Sequence, residues 1–268
     1  MLVTNDDGID SLATIKLAFS LKDLGYEVIL AAPSRDWSGS GKALGSMSSV
    51  RIHRKDDINC IDAYSVNAPP AAIVALFIDI MGFDVDVVVS GINYGPNLGF
   101  HDILTSGTIG AALEAAFRGV LGVSISSYCF RSDGVCIDYA VNYSKRIIEF
   151  MFDLRNIPFN VVSINIPKPP PRGVKFVKPS PILPKLEGIA EPANNGTIVK
   201  VKAKNHAEIY KEESDEYDGG ALIKGFITMT PIMVGPRGLS IPLEEALNSM
   251  NIKELERRIG SIPTNKPL

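Results

Sequence analysis

Residues 2–8 have the sequence LVTNDDG, a short apolar run that ends in two adjacent acids and a glycine. Downstream, apolar residues recur at helical spacing from Leu12 to Leu24, and Gly25 ends the predicted helix. A second apolar run covers residues 27–32. Strand, helix and strand in this order begin a parallel α/β sheet, and the two acids then lie at the carboxyl end of its first strand.

The same alternation continues along the chain, with helices and strands predicted in turn over 70–80, 86–89, 110–118, 122–126, 138–152 and 160–166. The strands are apolar throughout, which is typical of a parallel sheet covered by helices on both faces. The sequence therefore predicts a Rossmann-like three-layer α/β sandwich with a mostly parallel sheet over residues 1–166.

The pattern changes after Pro167, because the KPPPR run at 168–172 cannot be helical. The rest of the sequence predicts a strand, a solvated charged loop or hairpin, a second strand and an amphipathic helix, over 198–201, 206–218, 226–229 and 244–259. We expect one domain over residues 1–268, in which 167–268 form a hairpin excursion, a late strand and a C-terminal helix.

Composition narrows the class of protein. The formal net charge of -3 provides no large basic field, which argues against a nucleic-acid polymer as partner. There is no signal-peptide pattern at the start and no run of roughly 18 apolar residues, so we expect a cytoplasmic protein without a membrane span.

The three cysteines, Cys60, Cys129 and Cys136, lack paired short spacings and are expected to be reduced and mostly buried. Only three histidines are present, which disfavours a histidine-rich metal cage.

The acid pair, Asp6 and Asp7, has two interpretations. Asn, Asp and Gly are common turn residues, so a tight turn is the simple one. The functional one is that adjacent carboxylates at a strand end repel each other unless a cation lies beside them, and oxygen ligands suit Mg²⁺ or Mn²⁺. Two acids here also exclude the glycine-rich turn that binds dinucleotides.

The second loop, residues 33–46, is polar and rich in glycine. Its SGSGKA segment, residues 38–43, superficially resembles a P-loop. However, Asp36 stands where the first P-loop glycine would be, and Ala43 follows the lysine. The loop is therefore either a flexible surface segment or one that contacts a ligand.

The third loop has the sequence SGINYGPNLG at 90–99. Its glycines let backbone amides approach an anion, and the amides of Asn93 and Asn97 can coordinate a metal or donate to phosphate; ordinary loop punctuation is the alternative. Ser106, Gly107 and Thr108 precede an alanine-rich helix, where they form either a common N-cap or a phosphate site at a helix N-terminus.

Position decides between these alternatives. In a doubly wound sheet, the loops that follow several parallel strands meet at one edge, where the strand order switches. Carboxylates, hydroxyls, amides and a helix N-terminus would then surround one ligand. We expect a site that binds a divalent ion and a phosphate.

At this point the sequence resembles the SurE survival-protein nucleotidases. The resemblance lies in LVTNDDG, APSRDWSGSG, SGINYGPNLG and SGTIGAA, at 2–8, 32–41, 90–99 and 106–112, with a weaker match in GFITMTP at 225–231. It implies a Rossmann-like sheet and one Mg²⁺ or Mn²⁺ ion per subunit held by Asp6, Asp7, Ser38 and Asn93. It also implies phosphate contacts from Asn97, Ser106, Gly107 and Thr108, and a homodimer or homotetramer with exchanged C-terminal segments, to which residues 206–218 would contribute.

Some positions depart from the pattern of the family. Lys42 stands where the family has a histidine, and NAPPAA at 67–72 lacks the acid of the corresponding family segment. The FHD stretch at 100–102 is one residue longer than usual. These departures affect substrate preference more than the metal site.

The hypothesis is metal-dependent hydrolysis of nucleoside 5'-monophosphates, with 3'-monophosphates as further substrates. A carboxylate of Asp6 or Asp7 would act as general base, or less readily as a covalent nucleophile. A broader acid phosphatase or exopolyphosphatase, a nucleotide-sugar transferase and a non-catalytic nucleotide sensor are alternatives. The adjacency of the two acids argues against haloacid-dehalogenase chemistry, which needs Asp-x-Asp.

Overall fold

The structure, a computed structural model, describes residues 1–45, 48–56, 58, 60–129, 131–153, 157–202, 205–236 and 238–260. Its strands are β1 (Leu2–Thr4), β2 (Ile29–Pro33), β3 (Ile52–Arg54), β4 (Asp62–Val66), β5 (Val87–Tyr94), β6 (Leu121–Ser127), β7 (Val161–Ile166), β8 (Val174–Phe176), β9 (Gly188–Ala193), β10 (Gly196–Val201), β11 (Ile227–Gly235) and β12 (Gly238–Ser240). Its helices are α1 (Leu12–Asp23), α2 (Pro70–Ala75), α3 (Gly99–Thr105), α4 (Gly107–Phe117), α5 (Gly134–Phe152), α6 (His206–Ile209), α7 (Asp218–Ile223), α8 (Leu243–Ser249) and α9 (Ile252–Gly260); a π-helical turn, Leu76–Ile80, continues α2.

The main sheet has the strand order β12-β11-β7-β6-β5-β1-β2-β4-β3, with β8 paired to β11. The six neighbouring strands from β7 to β4 are mutually parallel, whereas β3 and β11 pair antiparallel at the two ends of this run. After β1, the chain adds β2 and β4 on one side of that strand. It then returns to the other side of β1, where it adds β5, β6 and β7. The strand order therefore switches between β1 and β5, and the predicted Rossmann-like, mostly parallel sheet is confirmed.

Helices cover both faces of this sheet, as the uniformly apolar strands indicated. On one face α1 packs on α5, and on the other α2 packs on α4. Leu2 and Val3 are both fully buried, although they lie in different core clusters on opposite faces. Because successive side chains of a strand alternate between faces, a strand covered on both sides has no side chain that faces solvent.

Two helices begin earlier than the apolar pattern predicted, because a polar side chain caps each of them. The Ser106 hydroxyl accepts from the Ile109 N–H at 3.3 Å, and α4 begins at Gly107. The Asp133 carboxylate accepts from the Cys136 N–H at 2.9 Å, and α5 begins at Gly134. Caps satisfy N–H groups that have no partner inside the helix.

β5 runs on to Tyr94, into residues predicted to be loop. Gly91 has a φ of 135°, and a Cβ there would lie 2.2 Å from the Ile125 carbonyl oxygen of β6. The glycine is needed because the two backbones approach so closely, and the strand continues after a register shift between Ser90 and Asn93.

The C-terminal part differs in detail from the prediction. The hairpin is β9–β10, while the charged segment 206–218 forms α6, turns and the start of α7, with Tyr210 and Asp218 buried. The predicted helix over 244–259 is divided into α8 and α9, because the Asn251 side chain caps the second part by accepting from the Glu254 N–H at 3.2 Å.

Within the described ranges, no helix is long and apolar enough to cross a membrane. The single-domain organisation of residues 1–268 stays a prediction, and residues 261–268 lie outside the described part.

Candidate functional site

The turn after β1 is built by Asn5. Its Oδ1 accepts from the Gly8 N–H at 3.0 Å, and its Nδ2 donates to the Gly8 carbonyl at 2.9 Å and to the Thr14 hydroxyl at 2.6 Å. Gly8 has a φ of 107°, a conformation that favours glycine. The interpretation as a tight turn is thus correct for Asn5 and Gly8. Asp6 and Asp7 lie between these two residues, and their side chains take no part in these hydrogen bonds.

Asp6 is buried, with 3% of its surface exposed. The Thr108 hydroxyl donates to its Oδ1 at 2.6 Å, and the Thr108 backbone N–H donates to the same carboxyl group. Burial raises the pKa of Asp6, and these hydrogen bonds oppose the rise. Asp6 therefore lies at the positive end of α4.

Asp7 is also enclosed, with only 3% of its side chain exposed. Arg131 Nη2 lies 2.6 Å from Asp7 Oδ1, and the Tyr94 backbone N–H donates to the same carboxyl group. Burial and the neighbouring charge of Asp6 raise the pKa of Asp7 to about 7, and Arg131 opposes the rise. The charge of Asp6 therefore disfavours the ionised form of Asp7.

The second loop is fixed at both of its ends. The Trp37 N–H donates to the Asp6 carbonyl at 2.8 Å, and the Gly41 N–H donates to the Thr105 carbonyl at 2.8 Å. Between them Ser38 lies at an exposed bend, where its N–H donates to Asp36 Oδ1 at 2.7 Å. The loop thus bridges the first turn and the junction of α3 and α4, which favours the ligand-contacting interpretation.

The N-terminus of α4 lies directly against the acids. A Cβ on Gly107 would lie 2.9 Å from Asp6 Cβ and 2.8 Å from Ser40 Oγ. No side chain fits at this position, because the helix backbone touches both residues. The predicted N-cap role of Ser106 is confirmed, and Thr108 serves Asp6.

The end of β5 brings the third loop to the same edge. Asn93 Nδ2 donates to the Gly95 carbonyl at 2.7 Å, next to the Tyr94 N–H that meets Asp7. Asn97 Nδ2 donates to the Ser126 hydroxyl at 2.8 Å, and Asn165 Oδ1 accepts from the Asn97 N–H at 2.8 Å. Ser126 is the register partner of Asn93, so the two asparagines lie side by side over β6.

The donor groups fit a hard divalent cation. Asp7 Oδ2 and Ser40 Oγ are buried and have no hydrogen-bond partner among the described residues. Buried polar atoms without a partner are rare and indicate a missing water, ion or ligand. In the same part of the chain, no three His, Cys, Asp or Glu side chains form a metal-binding cluster, so neutral oxygens would have to complete the ligand set.

Two residues near the acid pair, Ser40 and Arg131, were not predicted from the sequence. The loop that carries Arg131 is closed by a disulfide between Cys129 and Cys136, so the expectation of three reduced thiols was wrong, and Cys60 is exposed. A separation of seven residues gave no pairing signal. The end of β6 and the first turn of α5 nevertheless fold back until the two Cα atoms lie 5.6 Å apart, within the usual range for a disulfide.

The departures from the family pattern also have defined places. Lys42 is paired with Glu114 and lies over the Phe117 ring, 4.6 Å from its centroid, along the outer side of α4. Asp102 Oδ2 accepts from the Leu98 N–H at 3.0 Å, and its Oδ1 lies 3.1 Å from His101 Nδ1. Asp102 thus stabilises the third loop.

Known proteins are similar to this chain in sequence and in fold. The family model for the survival protein SurE matches residues 1–184. A relative from Aeropyrum pernix, named 5'-nucleotidase SurE, is 39% identical over 85% of this chain and 84% of its own length. A protein of the same name from Thermosipho africanus is 31% identical over 87% of this chain and 91% of its own. The crystal structure of the SurE protein from Aquifex aeolicus superposes with a TM-score of 0.73 and 26% identity, over 88% of this chain and 93% of that one. With the acid pair, the three loops and the α4 N-terminus gathered at the β1–β5 switch, these matches show that the chain belongs to the SurE family.

Proposed function

We propose that this protein is a phosphoric monoester hydrolase that cleaves nucleoside 5'-monophosphates, and also 3'-monophosphates, into nucleoside and phosphate. The observation that carries the proposal is a pair of enclosed carboxylates, one of them against a helix N-terminus, together with two buried oxygens, Asp7 Oδ2 and Ser40 Oγ, that have no hydrogen-bond partner among the described residues. The two relatives that align with 85% and 87% of this chain bear the name 5'-nucleotidase SurE.

A divalent ion, Mg²⁺ or Mn²⁺, fits this donor set at one ion per subunit. Asp6, Asp7, Ser38 and Asn93 would hold it, with Ser40 close by. When bound, such an ion neutralises charge on a phosphoryl group and lowers the pKa of a water molecule. The pKa values of both acids are raised by burial, and a cation in contact would favour their ionised forms.

The chain's own groups would bind and orient the phosphoryl group. The Gly107 backbone at the start of α4 lies directly against Asp6, and the helix dipole favours an anion at this end of the helix. One amide hydrogen of Asn97 is taken by Ser126, and the second is available to a phosphate oxygen. Ser106 holds the helix end in place, while Thr108 fixes the Asp6 carboxylate.

Asp7 is the best-placed general base. Its Oδ2 has no partner among the described residues, whereas Thr108 engages Asp6. A carboxylate oxygen that is held in place and free on one side can accept the proton of an attacking water. Asp6 would then serve mainly as a ligand and as an electrostatic anchor.

The test is phosphate release from a panel of mononucleotides, polyphosphate and unrelated phosphate esters, with EDTA and with added Mg²⁺ or Mn²⁺. We expect metal-dependent turnover that is highest on mononucleotides. Tight nucleotide binding without turnover would favour the sensor, and transfer from a nucleotide sugar without phosphate release would favour the transferase.

We also propose a homodimer or homotetramer formed through the β9–β10 hairpin. In this hairpin the side chains of Val199 and Val201 are 62% and 57% exposed, although both are aliphatic. Their register partners are Ala190 and Gly188, so one face of the hairpin is apolar. A two-stranded hairpin is marginally stable in water, and a second subunit would cover this face. A contribution of residues 206–218 to the subunit contact stays a prediction.

A cytoplasmic location stays a prediction. The Cys129–Cys136 disulfide is the feature against which to test it, because most cytosolic proteins keep their thiols reduced. Alkylation of the protein in freshly lysed native cells would count the free thiols; a single reactive cysteine in every molecule would indicate an oxidising compartment.

A further inference from the structure

Arg131 lies at the mouth of the site. Its Nη2 is 2.6 Å from Asp7 Oδ1 and 3.2 Å from Asp36 Oδ2, and its guanidinium lies over the Tyr94 ring, 5.1 Å from the centroid. The Arg131 side chain is 57% exposed, whereas that of Asp7 is 3% exposed. The guanidinium therefore covers the carboxylate from the solvent side.

The loop that carries Arg131 is fastened at both ends. Cys129 and Cys136 are joined by a disulfide, and both are buried, at 4% and 5% exposure. The second end is also held by the Asp133 cap of α5. These anchors keep Arg131 beside the carboxyl edge of the sheet.

The geometry of the guanidinium leaves donors for a ligand. In the described part of the chain, both ion pairs of Arg131 use Nη2, so Nη1 and Nε are available. Guanidinium donors form a planar fork that matches two oxygens of a phosphate. A phosphomonoester that approaches two carboxylates meets negative charge, which a cationic side chain at the mouth of the site would offset.

We propose that Arg131 is a substrate-binding residue of this site, which grips the phosphate of the mononucleotide from the solvent side, and that the Cys129–Cys136 disulfide positions it. The inference rests on the proposed function, since it names a further contact to the same phosphate. The competing explanation is that Arg131 is only an internal counter-ion for Asp7, in which case it would oppose a cation and leave phosphate untouched.

The experiment uses the full-length, Mn²⁺-loaded protein and the variants Arg131→Gln and Arg131→Lys. Inorganic phosphate is the probe, and its Kd is measured by calorimetry. Loss of a charge-assisted pair of hydrogen bonds should weaken phosphate binding about 10- to 100-fold in Arg131→Gln. KM for AMP should rise by a similar factor while kcat changes less, and Arg131→Lys should lie between the two because it keeps the charge but not the fork.

The matched control is Arg35→Gln. It removes the same charge from the neighbouring loop, where the guanidinium lies over the Trp37 ring, 4.5 Å from its centroid. We expect its phosphate Kd to stay near the wild-type value. The Kd for Mn²⁺ should not weaken in Arg131→Gln; an unchanged phosphate Kd together with tighter Mn²⁺ binding would overturn the proposal in favour of the counter-ion.

A second variant, Cys129→Ser/Cys136→Ser, tests the positioning role. With Arg131 intact but its loop released, phosphate binding should weaken by a smaller factor than in Arg131→Gln, while the melting profile shows a folded protein. Failure of the proposed function is separate: a wild type that binds phosphate through Arg131 but hydrolyses no mononucleotide would refute the activity and leave this inference standing. An active wild type with an unaltered Arg131→Gln KM and phosphate Kd would refute the inference alone.

Discussion

The carboxyl edge of the sheet and the β9–β10 hairpin reverse the ordinary burial pattern in opposite ways. At the edge, polar side chains are enclosed: Asp6 is 3% exposed, and Thr108 and Asn165 are fully buried. On one face of the hairpin, aliphatic side chains are open to solvent, with Val199 at 62% and Val201 at 57% exposure. Charged residues are seldom fully buried, and contiguous exposed apolar surface is uncommon on a monomer.

Each region is suited to a different kind of partner. Enclosing two carboxylates costs folding free energy that a cation can recover, and exposing a valine face costs free energy that a protein surface can recover. The first region is therefore suited to an ion and a phosphate, and the second to another subunit. A substitution that removes a buried charge at the sheet edge should abolish ion and phosphate binding, and one that places a charge on the exposed apolar face should weaken subunit association. Neither should unfold the chain.

The largest effect is expected at Asp7. Asp7→Asn keeps the shape of the side chain but removes the charge that would hold an ion and accept a proton. We expect phosphate release from AMP to fall by at least about a thousandfold. The melting temperature of the metal-free variant should be no lower than that of the wild type, because an enclosed charge next to Asp6 has been removed. Both quantities are measured on the same preparations.

Asp10→Asn is the matched control for this prediction. Asp10 follows the same turn, but its side chain is 84% exposed. Its activity should stay within about twofold of the wild type, as for most surface substitutions. A fully active Asp7→Ala or Asp7→Asn protein would contradict the proposed site.

Next in size is the pH dependence of the metal-free protein. A carboxyl with a pKa raised in the folded state is easier to bury protonated, so its contribution to stability is lost as pH rises from about 4 towards 7. A rise in the pKa of Asp7 from 3.8 to about 7 limits this effect to roughly 4 kcal/mol. Urea unfolding in EDTA between pH 5 and pH 8 measures the part of this effect that falls above pH 5, about 3 kcal/mol at most, as the difference between wild type and Asp7→Asn.

Asp218 contributes with the same sign and remains in the variant. Burial raises its pKa to about 7, and backbone N–H groups of Gly99, Ser180 and Gly219 oppose the rise. A residual slope in Asp7→Asn is therefore expected. Added Mn²⁺ should stabilise the wild type more at pH 8 than at pH 5, because protons compete with the ion for the carboxylates. A wild type that lost no more stability than Asp7→Asn over this range would count against a raised Asp7 pKa.

The hairpin is tested by Val199→Glu. A charge on the apolar face should weaken self-association by at least about thirtyfold, equivalent to about 2 kcal/mol, while the main sheet stays folded. Light scattering after gel filtration and sedimentation velocity measure the oligomeric state over a range of concentrations. Lys200→Gln is the control, since Lys200 lies on the opposite face of the hairpin, paired with Glu191 at 2.7 Å. Equal association in both variants would exclude this face as the contact.

The sequence predicted the features that are encoded locally or by chain order. The acid pair could be placed because an apolar run precedes it, and the sheet because apolar strands alternate with helices. The switch point then follows from the doubly wound connection. Asn251, which divides α8 from α9, is an N-cap that the sequence also contains, but the amphipathic pattern runs through it.

What could not be predicted depends on residues that are distant in sequence. Glycine is typical of loops, so the sequence places Gly91 in a loop. The structure shows that the strand needs a glycine there, because a Cβ at this position would lie 2.2 Å from the Ile125 carbonyl oxygen. Arg131 lies next to Asp7 because a disulfide and a helix cap close its loop, and no local pattern announces either. The sequence predicts a strand over 198–201, which lies in β10, whereas its partner β9 is largely exposed and lacks the alternation by which half-buried strands are recognised.

The smallest effect is expected at Lys42, which sharpens the boundary of the catalytic region. By sequence it takes the place of a family histidine, yet its ammonium is paired with Glu114, and Arg118 binds the same carboxylate. In Lys42→Gln, Arg118 still neutralises Glu114, so the free energy of unfolding should fall by only about 1 kcal/mol. Because the side chain runs along α4 towards Phe117, kcat for AMP should stay within about twofold of the wild type. Steady-state kinetics and urea unfolding check both values. A tenfold loss of kcat with unchanged stability would place Lys42 among the groups that act on the substrate, and the catalytic region would then extend along the outer side of α4.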